Sequence, residues 1–318
     1  MHDTLRVRVG RIEQLAAGIK RFTLQPCGDD ANLPAFDSGS HIVVHMDNGR
    51  FRNAYSLTSP LDDASHYQIS VRLEEASRGG SRFLHERVRE NDELEIGAPG
   101  NLFGLSPRAG RHVLIAGGIG ITPFMTHIQT LAREDAAFEL HYCFRNRRSA
   151  AYLDDLPATL GPDRLHVYES DTGGKLDIAA LLAAQPADAH VYVCGPSALN
   201  DAVVATARAA GWDASRIHFE QFRNEVDATG GAFEVTLRKS GLTLPVGPDD
   251  TLLRVIEKAG VKVDCMCREG ICGSCETAIV EGEADHRDNY LSDDEKASQK
   301  TIMLCVSRCK GQRLVLDL

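Results

Sequence analysis

No apolar run in this 318-residue chain approaches the length needed to span a bilayer, and the opening stretch, Met1-His2-Asp3-Thr4-Leu5-Arg6, lacks the apolar core of a secretory signal. Membrane insertion and export are therefore set aside, and a cytoplasmic location is expected. Positive charge is also short: 35 Lys and Arg stand against 45 Asp and Glu, a formal charge of -10. That balance disfavours nonspecific nucleic-acid binding and suits a partner presenting a basic face. With 43% hydrophobic and 25% charged residues the chain is not a disordered one. Two further absences matter for chemistry. There is no Cys-x-His pair of the Rieske type, and no facial triad for an iron centre can be assigned, so no oxygen-activating site is encoded here.

What is present is cysteine, nine in all. In a cytosolic chain this number argues for metal or redox use rather than a disulfide framework. Cys267, Cys272 and Cys275 follow the spacing C-x4-C-x2-C, and Cys305 lies 29 intervening residues further on. This is the plant-type spacing for a 2Fe-2S cluster. Gly270, Gly273 and Ser274 give the loop the freedom to turn its backbone N–H groups toward the sulfurs. An all-cysteine zinc site is the alternative, but zinc ribbons pair two short knuckles, whereas here three cysteines share one loop. Cys27, Cys143, Cys265 and Cys309 fall outside the spacing and read as ordinary thiols, although Cys265 and Cys309 lie close to proposed ligands.

The chain is long enough for three domains. Over residues 1–105, short alternating strands at 5–9, 19–24, 41–46 and 67–73, separated by turns such as Asp47-Asn48-Gly49, predict an antiparallel β-barrel. One helix, 81–88, opens after Gly79-Gly80, where free N–H groups suit an anion such as a phosphate; an unliganded turn reads equally well. Over 106–223 the period changes. Apolar strands alternate with helical segments, among them 152–160, which predicts a doubly wound parallel α/β domain with ligands at the carboxyl ends of the strands. Gly117, Gly118, Gly120, Thr122 and Pro123 follow its first strand and open a helix, a turn that lets a pyrophosphate approach the backbone. Cys194-Gly195-Pro196 ends a later strand; taken alone, Cys194 is a small buried apolar residue. Arg145-Asn146-Arg147-Arg148 ends another, where a 2'-phosphate of NADPH would be read, or simply a solvated charge run, which leaves NADH preferred. A polar, glycine-rich linker is expected at 224–231 and a mixed-sheet domain at 232–318, with a hairpin, a helix at 251–258 and the cysteine loop. The acidic stretch 281–295 reads as a solvated face before a docking surface.

The segment Asn53-Ala54-Tyr55-Ser56-Leu57, followed by the glycine-led helix, resembles the flavin site of the ferredoxin-reductase superfamily. There the motif is Arg-x-Tyr-Ser. The resemblance implies that Tyr55 packs on the flavin and that the Ser56 hydroxyl approaches its reactive nitrogen. Asn53 stands where the family carries the phosphate-binding Arg, with Arg52 and Arg78 the candidates to replace its charge. Leu57, Val71, Gly79, Gly80 and Ser81 complete the expected flavin contacts. Gly117 to Pro123 with Cys194, Gly195 and Pro196 resemble the same superfamily's nicotinamide domain, which implies that Cys194 lies beside the nicotinamide ring. Glu220 is then its polar neighbour and Phe222 an aromatic cover for the flavin.

The order flavin barrel, nucleotide domain, β-grasp-like 2Fe-2S ferredoxin domain resembles the phthalate dioxygenase reductase family over nearly the whole chain. Segments 53–57, 77–85 and 283–288 are most similar to its carnitine monooxygenase reductase branch. The resemblance implies FMN, NADH as donor, ligation of the cluster by Cys267, Cys272, Cys275 and Cys305, and transient docking to a Rieske-type oxygenase. Carnitine or a related quaternary ammonium compound is the expected substrate of that partner, and an aromatic acid such as phthalate or vanillate the alternative. Delivery to another acceptor, such as a haem monooxygenase, and a redox-sensing module in which the nucleotide domain only binds are the competing readings.

Overall fold

The computed structural model describes residues 4–28, 32–74, 79–222, 227–265 and 267–318. The chain divides into two compact units, Met1–Gln221 and Phe222–Leu318.

The first unit opens with an antiparallel sheet. Its strands are β1 (Thr4–Ala16), β2 (Ile19–Pro26), β3 (Ser40–Met46), β4 (Phe51–Ser56), β5 (Tyr67–Arg72), β6 (Glu93–Gly97) and β7 (Gly100–Asn101), with helix α1 (Gly80–Glu86) between β5 and β6. The strand order is β4-β3-β6-β1-β2-β5, with β7 on β3, and a bridge between Leu57 and Ile69 closes the ring. Alternation decides which residues face inward: Val7 and Val9 on β1, Phe22 and Leu24 on β2 and Ile69 and Val71 on β5 meet in one apolar interior.

A parallel sheet follows: β8 (Arg111–Gly117), α2 (Thr122–Arg133), β9 (Phe138–Phe144), α3 (Leu156–Leu160), β10 (Leu165–Glu169), α4 (Ile178–Ala183), β11 (Ala189–Cys194), α5 (Ser197–Ala209) and β12 (Ile217–Glu220). Its order, β10-β9-β8-β11-β12, reverses direction between β8 and β11, so the crevice for a ligand lies where those two strands end. Aliphatic and aromatic side chains fill both faces. Leu114, Phe124, Leu140 and Tyr192 lie on one side, and Val113, Ile115, Val193 and Val203 on the other. The helix expected over 152–160 is shorter than its pattern. Tyr152 has φ 62° and its hydroxyl is hydrogen-bonded to Ser70 Oγ of the barrel at 2.6 Å, so helical structure begins only at Leu156, with Pro157 in the first turn.

The second unit contains β13 (Phe233–Leu237), β14 (Leu242–Val246), α6 (Leu252–Lys258), β15 (Glu276–Glu281), β16 (Ala284–Asp285), α7 (Asp293–Ser298), β17 (Thr301–Met303), β18 (Arg308–Cys309) and β19 (Arg313–Leu316). The main sheet runs β14-β13-β19-β15-β17, mixed in direction, with β16 and β18 paired apart from it. Thr251 caps α6 by accepting from Arg254 N at 3.2 Å, and Leu252, Leu253 and Ile256 bury its inner face. Part of the acidic stretch is helical: Ser292 and Glu295 form a reciprocal capping box at the start of α7. Of the expected linker, 224–226 lie outside the described residues. Its remainder is bound to this unit: the Arg308 guanidinium, 2% exposed, donates to the carbonyls of Ala228, Gly231, Gly247 and Asp250. Among the described residues no helix is long and apolar enough to cross a membrane.

Candidate redox sites

On the barrel, β4 carries the expected flavin residues. Tyr55 pairs with Ile42 and is half-buried, while Ser56 is 4% exposed. Ser56 Oγ has no hydrogen-bond partner among the described residues. A buried hydroxyl is rarely left so without a ligand to satisfy it, and this one fits the flavin contact that the motif implies. Leu57 and Val71 are packed in the barrel interior, and the Val71 carbonyl accepts from His85 Nε2 at 2.8 Å. Burial lowers the His85 pKa. Gly80 and Asn53 meet: a Cβ at Gly80 would stand 2.5 Å from Asn53 Oδ1. Gly79 has φ 123° and lies under the Phe51 ring, and Ser81 Oγ accepts from Glu74 N at 3.3 Å. Asn53 is therefore the side chain against the helix start. Arg52 runs the other way, toward the turn at Gly49, and Arg78 lies outside the described residues.

At the switch point of the parallel sheet two glycine turns touch. Gly118–Ile121 forms a 3-10 turn after β8, with Gly118 at φ 56°, and Thr122, the first residue of α2, donates its Oγ1 hydroxyl to the Ile119 carbonyl at 3.0 Å, with Pro123 next in the first turn. A Cβ at Gly117 would fall 2.7 Å from Pro196, and one at Gly195 would fall 3.0 Å from Gly117 Cα. This leaves a strip of bare backbone that a pyrophosphate can approach. Beside it, the fully buried Cys194 thiol donates to Glu220 Oε2 at 3.9 Å, and Asn200 Nδ2 anchors the Glu220 carbonyl at 2.9 Å. Burial pushes the Glu220 carboxyl up to about 8, and burial followed by the Glu220 charge pushes the Cys194 thiol up. Near neutrality both groups keep their protons. At the neighbouring strand ends Asp171 holds Arg145 at 3.5 Å and Asn146 at 3.1 Å. Phe222 opens the second unit and is 36% exposed.

In the second unit Cys267, Cys275 and Cys305 are buried and Cys272 is half-buried. Cys275 Sγ and Cys305 Sγ are 3.2 Å apart, Cys267 N donates to Cys272 Sγ at 3.5 Å, Glu269 N to Cys267 Sγ at 3.3 Å, and Ser274 Oγ lies 3.0 Å from Cys272 Sγ. The loop turns at Gly270 and Gly273, with φ 70° and 73°. No side chain fits at either position, since a Cβ would stand 2.5 Å from Val306 and 2.2 Å from the Tyr290 ring. Arg268 ties the loop to α6 through Glu257 at 2.5 Å. The thiols share hydrogen bonds so closely that those from Cys272 and then Cys305 lower the Cys267 pKa and those from Cys265 and then Cys305 lower that of Cys275, while Cys272 and Cys305, the donors, are raised. Converging sulfurs and backbone donors aimed at them suit a thiolate-held iron–sulfur cluster. The thiol of Cys265 reaches Cys275 and Cys305, a neighbour that the spacing does not single out. Cys309 turns away and donates to the Arg313 carbonyl at 3.3 Å.

Residues 235–310 match the family described as a 2Fe-2S iron-sulfur cluster binding domain, and residues 101–217 match the dimethylamine monooxygenase subunit DmmA-like N-terminal domain. The chain is 50% identical to the carnitine monooxygenase reductase subunit of Escherichia coli (strain K12) over 320 residues, covering 100% of this chain and 99% of that one. It is 44% identical to the heme-dependent oxidative N-demethylase beta subunit of Ectopseudomonas mendocina (strain ymp), covering 100% of both. Among solved structures, phthalate dioxygenase reductase superposes with a TM-score of 0.79 at 35% identity, covering 99% of this chain and 98% of that one. An intact type IV self-sufficient cytochrome P450 monooxygenase gives 0.85 at 36% identity, where this chain spans 41% of the longer protein.

Likeness over full length to such reductases makes the protein an electron-transfer oxidoreductase, the reductase component of a two-component oxygenase, with a 2Fe-2S domain. It belongs to the phthalate dioxygenase reductase-like family, whose flavin and nucleotide sites the barrel and parallel sheet here share in fold.

Proposed function

We propose that the protein takes reducing equivalents from NADH through FMN and its 2Fe-2S cluster to a Rieske-type oxygenase acting on carnitine or a related quaternary ammonium compound. When bound, the nicotinamide supplies a hydride, the flavin accepts the pair and releases electrons singly, and the cluster takes them one at a time. Tyr55, Ser56, Asn53 and the Gly79–Gly80 backbone would hold the flavin. The backbones of Gly117, Gly118 and Gly120 would hold the dinucleotide, with Thr122 and Pro123 fixing the start of α2, and Cys267, Cys272, Cys275 and Cys305 the irons.

The observation that carries the redox reading is the pair of touching glycine turns beside Cys194 and Glu220. Cys194 backs the crevice with a fully buried, uncharged thiol. Glu220, protonated at neutral pH, leaves the crevice without a fixed negative charge that would retain the cationic oxidised nicotinamide. Asp171, beside Arg145 and Asn146, sets a carboxylate next to the run where a 2'-phosphate would be read, which supports NADH as the donor. The proposed location is the cytoplasm, where NADH is available.

A haem-containing partner is the second reading. It is favoured by 44% identity to a subunit of a heme-dependent N-demethylase and by the DmmA-like match. Both readings place N-methyl compounds with the partner. The first test is the visible spectrum of the purified protein before and after anaerobic NADH, with the released flavin identified. Flavin and iron–sulfur bands that bleach with NADH are expected, and a colourless zinc protein would end the redox reading. Mixing the reductase with a purified carnitine oxygenase and with a haem N-demethylase then decides the partner: NADH consumption coupled to carnitine loss supports the first reading, and coupling only to the haem enzyme the second.

A further inference from the structure

Away from these sites, the parallel sheet carries a polar cluster that the redox chemistry does not use. Strands β9 and β10 run side by side with His141 opposite His166, and Glu139 lies two residues before His141 on the same face. The imidazoles stack with centroids 4.7 Å apart. Both aim Nε2 at one oxygen: Glu139 Oε2 is 3.6 Å from His141 Nε2 and 3.7 Å from His166 Nε2, and one ligand atom from each of the three residues lies within 4.8 Å of the others. His141 is only 4% exposed, and its Nε2 has no hydrogen-bond partner among the described residues.

We propose that Glu139, His141 and His166 form a binding site for one divalent transition-metal ion of the zinc class. Two imidazoles and a carboxylate suit a borderline-soft cation, and tetrahedral bonds of about 2.0–2.1 Å place neighbouring donors roughly 3.4 Å apart, close to the spacing already present. The surroundings orient each donor. His141 Nδ1 is 3.0 Å from Tyr168 Oη, so donation to that oxygen leaves Nε2 with its lone pair directed at the site. Gln185 Nε2 donates to Glu139 Oε1 at 2.9 Å and leaves Oε2 for the ion. Arg111 Nη2, 3.3 Å from Oε2, now supplies the compensating charge; its side chain is 36% exposed and can turn outward when a dication takes its place. The His166 side chain, 40% exposed, leaves one side of the site open to water as a fourth ligand. A bound ion would pin β10, the outermost strand of its sheet, to β9.

The test is equilibrium dialysis of the iron- and flavin-loaded protein against zinc chloride, with zinc and iron counted together. The parent is expected to take up one zinc per chain with its iron content unchanged, and His166→Ala and Glu139→Gln to bind that zinc at least about tenfold more weakly, a loss of the size that perturbing a metal's ligand shell produces. Both substitutions leave the flavin, nucleotide and cluster residues in place, and the exposed position of His166 keeps that variant foldable. No zinc uptake by the parent, or equal uptake by His166→Ala, overturns the site.

Discussion

The backbone of Gly120 rests on the carbonyl of Cys194: a Cβ at position 120 would stand 2.1 Å from that oxygen and 2.5 Å from its carbon. The two turns of the proposed dinucleotide crevice are therefore in direct contact, and neither partner atom is the movable end of a side chain. Gly120→Ala must push the turns apart. With overpacking costs of about 1–3 kcal/mol, KM for NADH should rise roughly fivefold or more while the cluster's spectrum stays unchanged. Steady-state NADH oxidation with an artificial acceptor measures it, and an unaltered KM would refute the crevice.

Ser56 offers a separate test on the barrel. Its buried hydroxyl has no partner among the described residues, so Ser56→Ala should leave the thermal stability of the flavin-free protein unchanged or slightly raised. Flavin affinity should fall by the worth of one hydrogen bond, about 0.5–1.5 kcal/mol, or roughly two- to tenfold. Fluorescence titration with flavin checks this. A variant that binds flavin as tightly as the parent would place the hydroxyl outside the site.

Acid should destabilise the first unit through its buried histidines. Burial lowers the His127 pKa to about 3 and that of His218 to about 4, with His112, and for His218 also His190, adding like charge. His127 stacks on Phe103 and meets Phe124 and Tyr192 edge-on, surroundings that offer an imidazolium no counter-charge. Between pH 6.5 and these lowered values the unfolded chain binds protons that the folded chain does not, so stability falls as pH drops. His127, fully buried, contributes at most about 1.4 kcal/mol per pH unit, and the part-exposed His218 less. His127→Phe should flatten the dependence of the urea midpoint on pH between 7 and 5. An equal slope in parent and variant would show that His127 does not titrate with unfolding.

Arg308 is the corresponding point in the second unit. Removing a guanidinium that donates to four half-buried or exposed carbonyls gives up charge-assisted hydrogen bonds and the packing of its stem, and Arg308→Ala should cost roughly 1.5–3 kcal/mol. Iron should be lost at lower temperature than in the parent, while flavin release from the first unit is unaffected. Heating while following both chromophores separates these outcomes.

The parts that the sequence made legible are those governed by local period. Val7 and Val9 alternate with arginines, apolar runs mark the parallel strands, and the cysteine spacing locates its own loop. What it concealed depends on distant partners. Residues 152–160 read as one helix because their apolar spacing is helical, but the Tyr152 hydroxyl is held by Ser70, eighty-two positions earlier. Asn53 looked like a lost charge; in the fold its short amide fits against Gly80, where a longer side chain would have to travel another way. Cys265 lies outside the C-x4-C-x2-C spacing yet touches the sulfurs of Cys275 and Cys305, because contact in that loop follows the turns at Gly270 and Gly273 rather than order along the chain. The capping box at Ser292 and Glu295 was present in the sequence as a Ser-x-x-Glu pattern, hidden inside a run that read as plain negative charge. Glu139 and His141 alternate on a strand that otherwise reads as fully buried, and only pairing with β10 brings His166 to them.

The hydroxyl contact between Ser70 and Tyr152 also bears on how such a gene can be cut. Gly39 N donates to Thr126 Oγ1, Leu61 N to Gln129 Oε1, and Ile19 of β2 lies in the apolar core beside the parallel sheet. A fragment ending near residue 105 would expose all of these at once and strand Ile19 in water, whereas a break at Phe222 parts two units that each keep their own core. Fusion and recombination should therefore exchange the iron–sulfur portion as a cassette and transmit the two flavin- and nucleotide-side sheets together.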